Sequence, residues 1–175
     1  MTLIKSIFLI FMIQTMTLFD FSIESDISNW KILDDVVMGG RSDGNFKINT
    51  DGFGEFTGNI SLKNNGGFSS LRYYFEPKAT TSYSKFKIKL KGDGKSYQFR
   101  VKDKQTNRYS YIFQFETTKE WQTIEIPFSK MFASFRGRRL DLPNFEGKYM
   151  EEIAFLIGNK KEERFKLLID SIILE

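Results

Sequence analysis

The sequence contains no cysteine and no histidine, and these two absences exclude several kinds of chemistry. Without cysteine there is no disulfide framework, no thiolate zinc site and no thiol nucleophile. Without histidine there is no imidazole to act as a general base. The lack of cysteine leaves the compartment open, because a cysteine-free chain suits an oxidising or a reducing environment. We therefore expect no catalytic residue, no metal site and no cofactor.

Proline and long apolar runs are also scarce, with three prolines in 175 residues. Residues 1–17 form an apolar leader in which Lys5 precedes a run over residues 6–13. That run is shorter than the roughly 20 apolar residues that a spanning helix needs. A basic residue before a short apolar run resembles a secretory signal peptide. The alternative is a mis-assigned start, because Met16 stands immediately before the first predicted strand.

These two alternatives lead to different compartments. The protein is expected to be exported or periplasmic if the leader is a signal peptide, and cytoplasmic otherwise. In both cases we expect no integral membrane protein once any leader is removed. Residues 18–175 are predicted to be one domain, since 41% hydrophobic residues and 19 phenylalanines suffice for a sizeable core.

Short stretches of alternating apolar and polar residues dominate the middle of the chain. Residues 85–91 alternate lysine with phenylalanine, isoleucine and leucine, and residues 97–101 alternate aromatic or valine with polar side chains. A period of two is typical of strands with one buried face. The Gly92-Asp93-Gly94 segment between them predicts a hairpin turn. Because no long helical periodicity is present, the pattern predicts an all-β antiparallel sandwich or jelly roll.

The outward lysines of residues 85–91, with Arg100 and Lys102, are expected to form one basic sheet face. Such a face could meet an acidic protein or anionic lipid, but exposed lysines also protect sheets from edge-to-edge aggregation. We favour the protective role. The net charge of +4 is too small to indicate a nucleic-acid partner.

Two glycine pairs mark loops that follow apolar stretches. The first lies in D-D-V-V-M-G-G-R-S at residues 34–42, and the second in N-N-G-G-F-S-S at residues 64–70. Doubled glycines indicate constrained loops, because glycine adopts positive φ and permits close approach. Asp34 and Asp35 are expected to be structural, one capping loop amides and the other solvated or paired with Arg41.

Four arginines lie in or beside glycine-bearing loops: Arg41, Arg72, Arg136 and Arg138. Their planar side chains suit two-point contact with a carboxylate or phosphate of a partner. The alternative is that one or two of them hold the loops by pairing with Asp34, Asp35 or Asp141. The sequence leaves both interpretations open, and we favour internal pairing.

Both glycine motifs resemble the complex I intermediate-associated protein family, whose mitochondrial members help to assemble respiratory NADH dehydrogenase. The resemblance rests on residues 30–42 and 56–72, and residues 135–138 and 169–172 also fit. It implies a galactose-binding-like β-sandwich and an assembly or chaperone-like role. The chain lacks a long Arg/Ser-rich transit region and resembles a compact, bacterial-type member.

The resemblance and the residues together predict a non-enzymatic protein-binding module. The expected partner is a protein, such as NADH dehydrogenase subunits or assembly intermediates. The predicted binding residues are Asp34, Asp35, Met38, Gly39, Gly40, Arg41, Ser42, Asn64, Asn65, Gly66, Gly67, Phe68, Ser69, Arg72, Arg136 and Arg138. The alternative is a carbohydrate-binding module of an exported protein that binds a glycan. Stacking on a sugar ring would then fall to an exposed aromatic among Trp30, Tyr73, Trp121 and Tyr149.

Overall fold

The computed structural model describes residues 14–175. The predicted leader lies outside the described residues up to position 13, and it stays a prediction. Its last two residues, Met16 and Thr17, lie in the first strand, which pairs with the strand nearest the other end of the chain.

The described residues form thirteen strands, which alternate with turns and three single-turn 3-10 helices. The strands are β1 Met16–Asp20, β2 Trp30–Asp34, β3 Asp43–Ile48, β4 Gly54–Ile60, β5 Ser69–Ala79, β6 Lys85–Lys91, β7 Ser96–Lys102, β8 Ser110–Glu116, β9 Trp121–Pro127, β10 Phe132–Phe135, β11 Arg138–Arg139, β12 Tyr149–Ile157 and β13 Glu163–Leu174. The 3-10 helices are Asp35–Met38, Lys63–Asn65 and Phe128–Lys130. None of the described helices has the length and apolar character to cross a membrane.

The strands form two sheets that pack face to face. The smaller sheet has six strands, with β3-β4-β13-β6-β9 in spatial order and β1 also paired to β13. The larger sheet has seven strands in the order β11-β10-β8-β7-β12-β5-β2. Every pairing in both sheets is antiparallel. The predicted all-β antiparallel sandwich is confirmed.

The core lies between the sheets, where the alternating apolar side chains meet. Phe86 from β6 and Phe99 from β7 are fully buried, and their ring centroids are 4.9 Å apart. Phe99 also packs edge-on against Phe155 of β12, at 5.3 Å. The period of two in residues 85–91 and 97–101 therefore identified inward side chains on both sheets correctly.

The predicted hairpin at Gly92-Asp93-Gly94 is wrong. Strand β6 pairs with β13 and β9, whereas β7 pairs with β12 and β8, so the chain crosses from one sheet to the other. The Asp93 carboxylate fixes the crossing: it accepts hydrogen bonds from the Lys166 amide at 3.0 Å and from the Tyr97 hydroxyl at 3.2 Å. One carboxylate thereby binds both sheets.

The predicted single basic face is also wrong, because the two groups of cations lie on different sheets. The lysines of β6 are on the outer face of the smaller sheet, and Arg100 and Lys102 are on that of the larger one. Strand β6 is an inner strand, so its lysines do not protect an edge. Neighbouring strands supply carboxylates instead: Lys85 lies 3.0 Å from Glu125, and other lysines reach Glu175 and Asp170.

Truncating the ring that joins the two sheets tests this description of the core. Phe99→Ala should lower the free energy of unfolding by about 3–5 kcal/mol, because it removes a buried ring and leaves a cavity. Urea denaturation followed by tryptophan fluorescence measures the change. Gln114→Ala, on the exposed outer face of the next strand, is the control and should shift stability by less than about 0.5 kcal/mol. Equal losses in both variants would contradict the assigned inward face.

Candidate functional site

The two glycine loops adjoin at one end of the larger sheet. Strand β2 pairs with β5 so that Asp34 lies opposite Ser69. The loop that leaves β2, residues 34–42, therefore meets the loop that enters β5, residues 64–70. We call these two segments together the loop surface. The structure thus brings together the predicted binding residues of the two glycine motifs.

A single buried carboxylate, that of Asp35, joins the two loops. Its Oδ1 accepts a hydrogen bond from the Ser42 amide at 2.9 Å, and its Oδ2 accepts one from the Ser42 hydroxyl at 2.5 Å. The Gly67 and Phe68 amides of the other loop donate to the same Oδ2 at 2.5 and 3.3 Å. The Asp35 amide in turn donates to the Phe68 carbonyl at 3.3 Å. Asp35 thus takes the amide-capping role, with donors from both loops.

At two positions only glycine leaves enough space for this carboxylate. A Cβ atom at Gly40 would collide with Asp35 Oδ1, and one at Gly66 would collide with Asp35 Oδ2. Neither glycine has positive φ, so the requirement is close approach and not backbone conformation. The doubled glycines of both motifs are therefore explained in part by the same buried side chain.

The second loop is held in a tight turn by asparagines. Asn64 and Asn65 adopt the left-handed region, with φ of 56° and 58°, which asparagine tolerates better than most residues. The Asn64 amide nitrogen donates to the Gly39 carbonyl of the first loop at 2.9 Å. Gly39 itself has φ of 89° and ends the 3-10 helix Asp35–Met38. The loops are therefore joined on both sides of Asp35.

Asp34 caps a different amide. Its Oδ2 accepts a hydrogen bond from the Gly44 amide of β3 at 2.7 Å. Its Oδ1 and the nearby Ser69 hydroxyl are both buried without a hydrogen-bond partner among the described residues. Asp34 thereby ties the end of the larger sheet to β3, an edge strand of the smaller one.

The environment of Asp35 keeps it ionised. Burial is the largest influence and opposes ionisation, but the hydrogen bonds from Ser42, Gly67 and Phe68 together outweigh it and hold the pKa of the carboxyl below its ordinary value of 3.8. A carboxylate in this state is a structural acceptor and is poorly suited to transfer protons near neutral pH. Within residues 14–175 no group of three or more acidic, histidine or cysteine side chains is arranged to hold a metal ion.

The exposed part of the loop surface is apolar. Val36, Val37 and Met38 are 59%, 67% and 60% exposed on the 3-10 helix that follows Asp35, and Leu62 is exposed beside the second loop. Sequence reasoning selected Met38 and missed the two valines and Leu62. One feature of the sequence could have predicted their exposure. Three consecutive apolar residues stand between two aspartates and a glycine pair, and a turn this short cannot direct all three side chains into the core.

The structure does not bring all four arginines to this surface. Arg41 is exposed on the first loop, and Arg72 lies on the outer face of β5, where it forms an ion pair with Glu152 at 3.3 Å. Among the ion pairs of residues 14–175, none joins Arg41, Arg136 or Arg138 to an aspartate. Internal pairing of these arginines with Asp34, Asp35 or Asp141 is therefore not found.

Arg136 and Arg138 lie at the opposite corner of the larger sheet. Arg136 lies in the β10–β11 turn and Arg138 begins β11. Strand β10 is five strand positions from β2, a separation of about 24 Å at the usual strand spacing. Arg136 has φ of 49° and lies over the Phe135 ring at 5.4 Å. A partner that contacts these two arginines need not contact the loops.

The four aromatic candidates for sugar stacking also lie in different parts of the sandwich. Trp30 is buried and stacks on Tyr73 at 4.6 Å within the core. Trp121 is on the smaller sheet, where Lys89 lies over its ring at 5.7 Å. Tyr149 is exposed and borders a cavity of about 400 Å³, at the end of the sandwich opposite the glycine loops. No aromatic candidate lies beside the loop surface.

Comparison with known proteins identifies related sequences. The family model described as Complex I intermediate-associated protein 30 matches residues 19–169. The mitochondrial protein of that name from Mus musculus is 26% identical over 187 residues, covering 93% of this chain and 57% of that protein. Its Drosophila melanogaster counterpart is 26% identical over 150 residues, covering 73% and 51%. The chain spans about half the length of the curated relatives it matches.

Comparison with solved structures identifies the same architecture. The family 11 carbohydrate-binding module of a cellulosomal cellulase from Clostridium thermocellum superposes with a TM-score of 0.67. The alignment covers 93% of this chain and 95% of that module, at 18% identity. At this level of identity the likeness shows the fold alone, and it agrees with the galactose-binding-like β-sandwich implied by the sequence motifs.

Replacing Asp35 tests its role in joining the loops. Asp35→Asn should lower the free energy of unfolding by about 2–3 kcal/mol, because an amide group turned toward backbone donors leaves buried groups unpaired. Asp43→Asn is the matched control: Asp43 accepts two hydrogen bonds from Asn59 but is exposed, so the loss should stay below about 1 kcal/mol. Chemical denaturation at pH 7 measures both changes.

The same comparison has a defined pH dependence. Because the folded-state pKa of Asp35 lies below its ordinary value of 3.8, the stabilisation is fully present above that value. It is lost as the pH falls through the lower folded-state pKa. The difference between wild type and Asp35→Asn should therefore be constant from pH 7 to 5 and shrink in stronger acid. A difference that grows on acidification would contradict the assignment.

Proposed function

This chain belongs to the Complex I intermediate-associated protein 30 family, as its two glycine motifs indicated, and we propose that it is a non-enzymatic protein-binding module that assists assembly of respiratory complex I. The proposed module comprises residues 18–175, and residues 1–17 remain a proposed signal peptide or a mis-assigned start. The proposed partners are NADH dehydrogenase subunits or their assembly intermediates.

The observation that carries the proposal is the exposed apolar turn on the loop surface. Val36, Val37 and Met38 are consecutive, and all are more than half exposed. Exposed apolar clusters with polar rims are typical of protein-interaction sites. Exposed Arg41 lies on the same loop, and methionine and arginine are both enriched at protein–protein interfaces relative to the rest of the surface.

The way the turn is fixed supports the same function. Asp35 is held by hydrogen bonds from both loops, so the apolar side chains that follow it are presented on an ordered backbone. Because little further ordering is needed on association, less conformational entropy is lost when a partner binds. A flexible loop with the same side chains would bind more weakly.

The non-enzymatic part of the proposal is supported by the chemistry of the loops. The carboxylate at their centre is buried and already occupied by four hydrogen bonds. The remaining exposed side chains of the 3-10 helix are apolar and carry no nucleophile or acid–base group. The surface is suited to contact and exclusion of water, which is what a binding site requires.

Affinity capture of the tagged chain from its native cells tests the proposed function. Wild type should enrich NADH dehydrogenase subunits or assembly intermediates. The double variant Val37→Ser with Met38→Ser should reduce that enrichment by about tenfold, because two exposed anchors are lost. Its stability should be unchanged, since both side chains are already in water.

Ile23→Ser is the matched control for this experiment. Ile23 is 68% exposed, about as much as Val37, but it lies near Gly52 at the other end of the sandwich. It should leave capture intact. Capture that survives the double variant would remove the loop surface as the binding site. Recovery of polysaccharide-processing proteins in place of respiratory subunits, with binding on a glycan array, would favour the carbohydrate-binding alternative.

A further inference from the structure

A line of cationic side chains crosses the outer face of the larger sheet. Strand register places Lys31 opposite Arg72, and Arg72 opposite Ala154. Ala154 in turn lies opposite Arg100, which continues the same line to Ile112 of β8 and Phe132 of β10. All of these residues point away from the core, because their neighbours along each strand fill it.

The line ends in another arginine. The Arg139 guanidinium lies over the Phe132 ring at 4.7 Å. We call Lys31, Arg72, Arg100 and Arg139 the basic row. From β2 to β10 it crosses five strand spacings, or about 24 Å, which equals the length of roughly seven residues of extended peptide.

The charge of the basic row is largely uncompensated. Glu152, on the same face, is paired with Arg72 at 3.3 Å. Among residues 14–175, the ion pairs include none for Lys31, Arg100 or Arg139. The lysines of β6 on the opposite sheet differ, because Glu125, Glu175 and Asp170 lie within ion-pair distance of them. The two outer faces are both basic in sequence, but on the described residues the β6 lysines are paired with carboxylates and three members of the basic row are not.

The centre of the row also has donors without acceptors. Arg72 uses one terminal nitrogen for Glu152, while its Nε is buried and has no hydrogen-bond partner in the described chain. The Ser70 hydroxyl, two residues earlier on the same face, is buried and unpartnered in the same way. Unpaired buried donors are costly, and the Nε edge of arginine is suited to a carboxylate.

Arg100 is similarly short of a negative partner. Its Nε and a terminal nitrogen donate to the neutral Gln98 side chain at 3.0 and 2.7 Å. Burial, with a smaller contribution from the charge of Arg72, lowers the pKa of Arg100 to about 10. An anion between the two arginines would offset both the burial of the Arg100 charge and its repulsion by Arg72. Ala154 lies between them in the strand register and is itself buried, so the two arginine side chains form the outer surface there.

We propose that the basic row binds an extended acidic segment of a partner protein, laid across the outer face of the larger sheet. Carboxylates of the segment contact Arg72 and Arg100 at the centre and Lys31 and Arg139 at the two ends. A peptide fits better than a sugar at the Arg139 end, because the Phe132 ring beside the basic row is already covered by the Arg139 guanidinium. The basic row is separate from the loop surface, and neither proposal depends on the other.

Glu152 has a defined part in this arrangement. It is 4% exposed and holds one terminal nitrogen of Arg72, so it competes with any carboxylate that approaches from outside. Removing its charge without changing its shape should therefore tighten binding. This direction of effect distinguishes a binding role from a purely structural one, in which loss of the ion pair could only do harm.

Fluorescence anisotropy with a labelled peptide of eight glutamates tests the proposal. Wild type should bind the peptide, with an affinity that falls as salt rises. Arg72→Gln and Arg100→Gln should each weaken binding by about threefold to tenfold, and Glu152→Gln should tighten it by about threefold, as expected for charge-assisted contacts at a partly exposed surface. Thermal unfolding of each variant confirms that the fold is retained.

The controls separate this surface from the others. Lys87→Gln with Lys89→Gln removes two charges from the opposite sheet and should leave peptide binding unchanged. The Val37→Ser and Met38→Ser variant should also bind the peptide normally, so failure of the loop surface and failure of the basic row are distinguishable. The proposal is overturned if the lysine variant weakens binding as much as Arg100→Gln, or if Glu152→Gln does not tighten it. Tighter binding of an oligogalacturonate of equal charge would assign the row to an acidic glycan instead.

Discussion

The buried carboxylate of Asp35 is the constraint on which the loop end of this molecule depends. Four donors from two loops converge on its two oxygens, and two glycines are required because any side chain would occupy the same space. A lone carboxylate is costly to bury, but one with this many hydrogen bonds is not. Asp35, Ser42 and the two glycine pairs are thus parts of one arrangement. A substitution at any of these positions would disturb the hydrogen bonds or the packing of the others.

This arrangement separates the residues that build the surface from those that would contact a partner. Asp35, Ser42 and Ser69 are buried and shape the backbone, whereas Val36, Val37 and Met38 are presented outward by it. The family motif therefore consists mainly of supporting residues. On the opposite corner and across the outer face of the larger sheet the arginines are exposed or half-buried, and among them only Arg72 forms an ion pair within the described residues. The molecule offers two chemically different surfaces, one apolar and one cationic.

The alternation of side chains predicted which residues face the core, since a period of two is a local property of each strand. It did not predict which sheet a strand joins: β6 and β7 look like a hairpin in sequence but belong to different sheets. The alternation also did not predict the β-bulges. The one between Ile169 and Ser171 shifts the inward set of β13 by one residue, so the buried Ile169 is followed by the buried Ile172, three residues later and not two. Arg136 was grouped with the glycine loops because sequence motifs carry no distances, and sheet order places it far from them.

Strand β13 has a consequence for how this protein reaches its fold. It lies between β4 and β6 and also pairs with β1, so three other strands depend on it for hydrogen bonds. Those strands precede it by more than 70 residues. The smaller sheet therefore cannot form completely during synthesis until residues 163–174 have left the ribosome. Until then β4 and β6 each have one edge without its strand partner. Long-range pairing of this kind folds slowly and exposes aggregation-prone strands in the meantime.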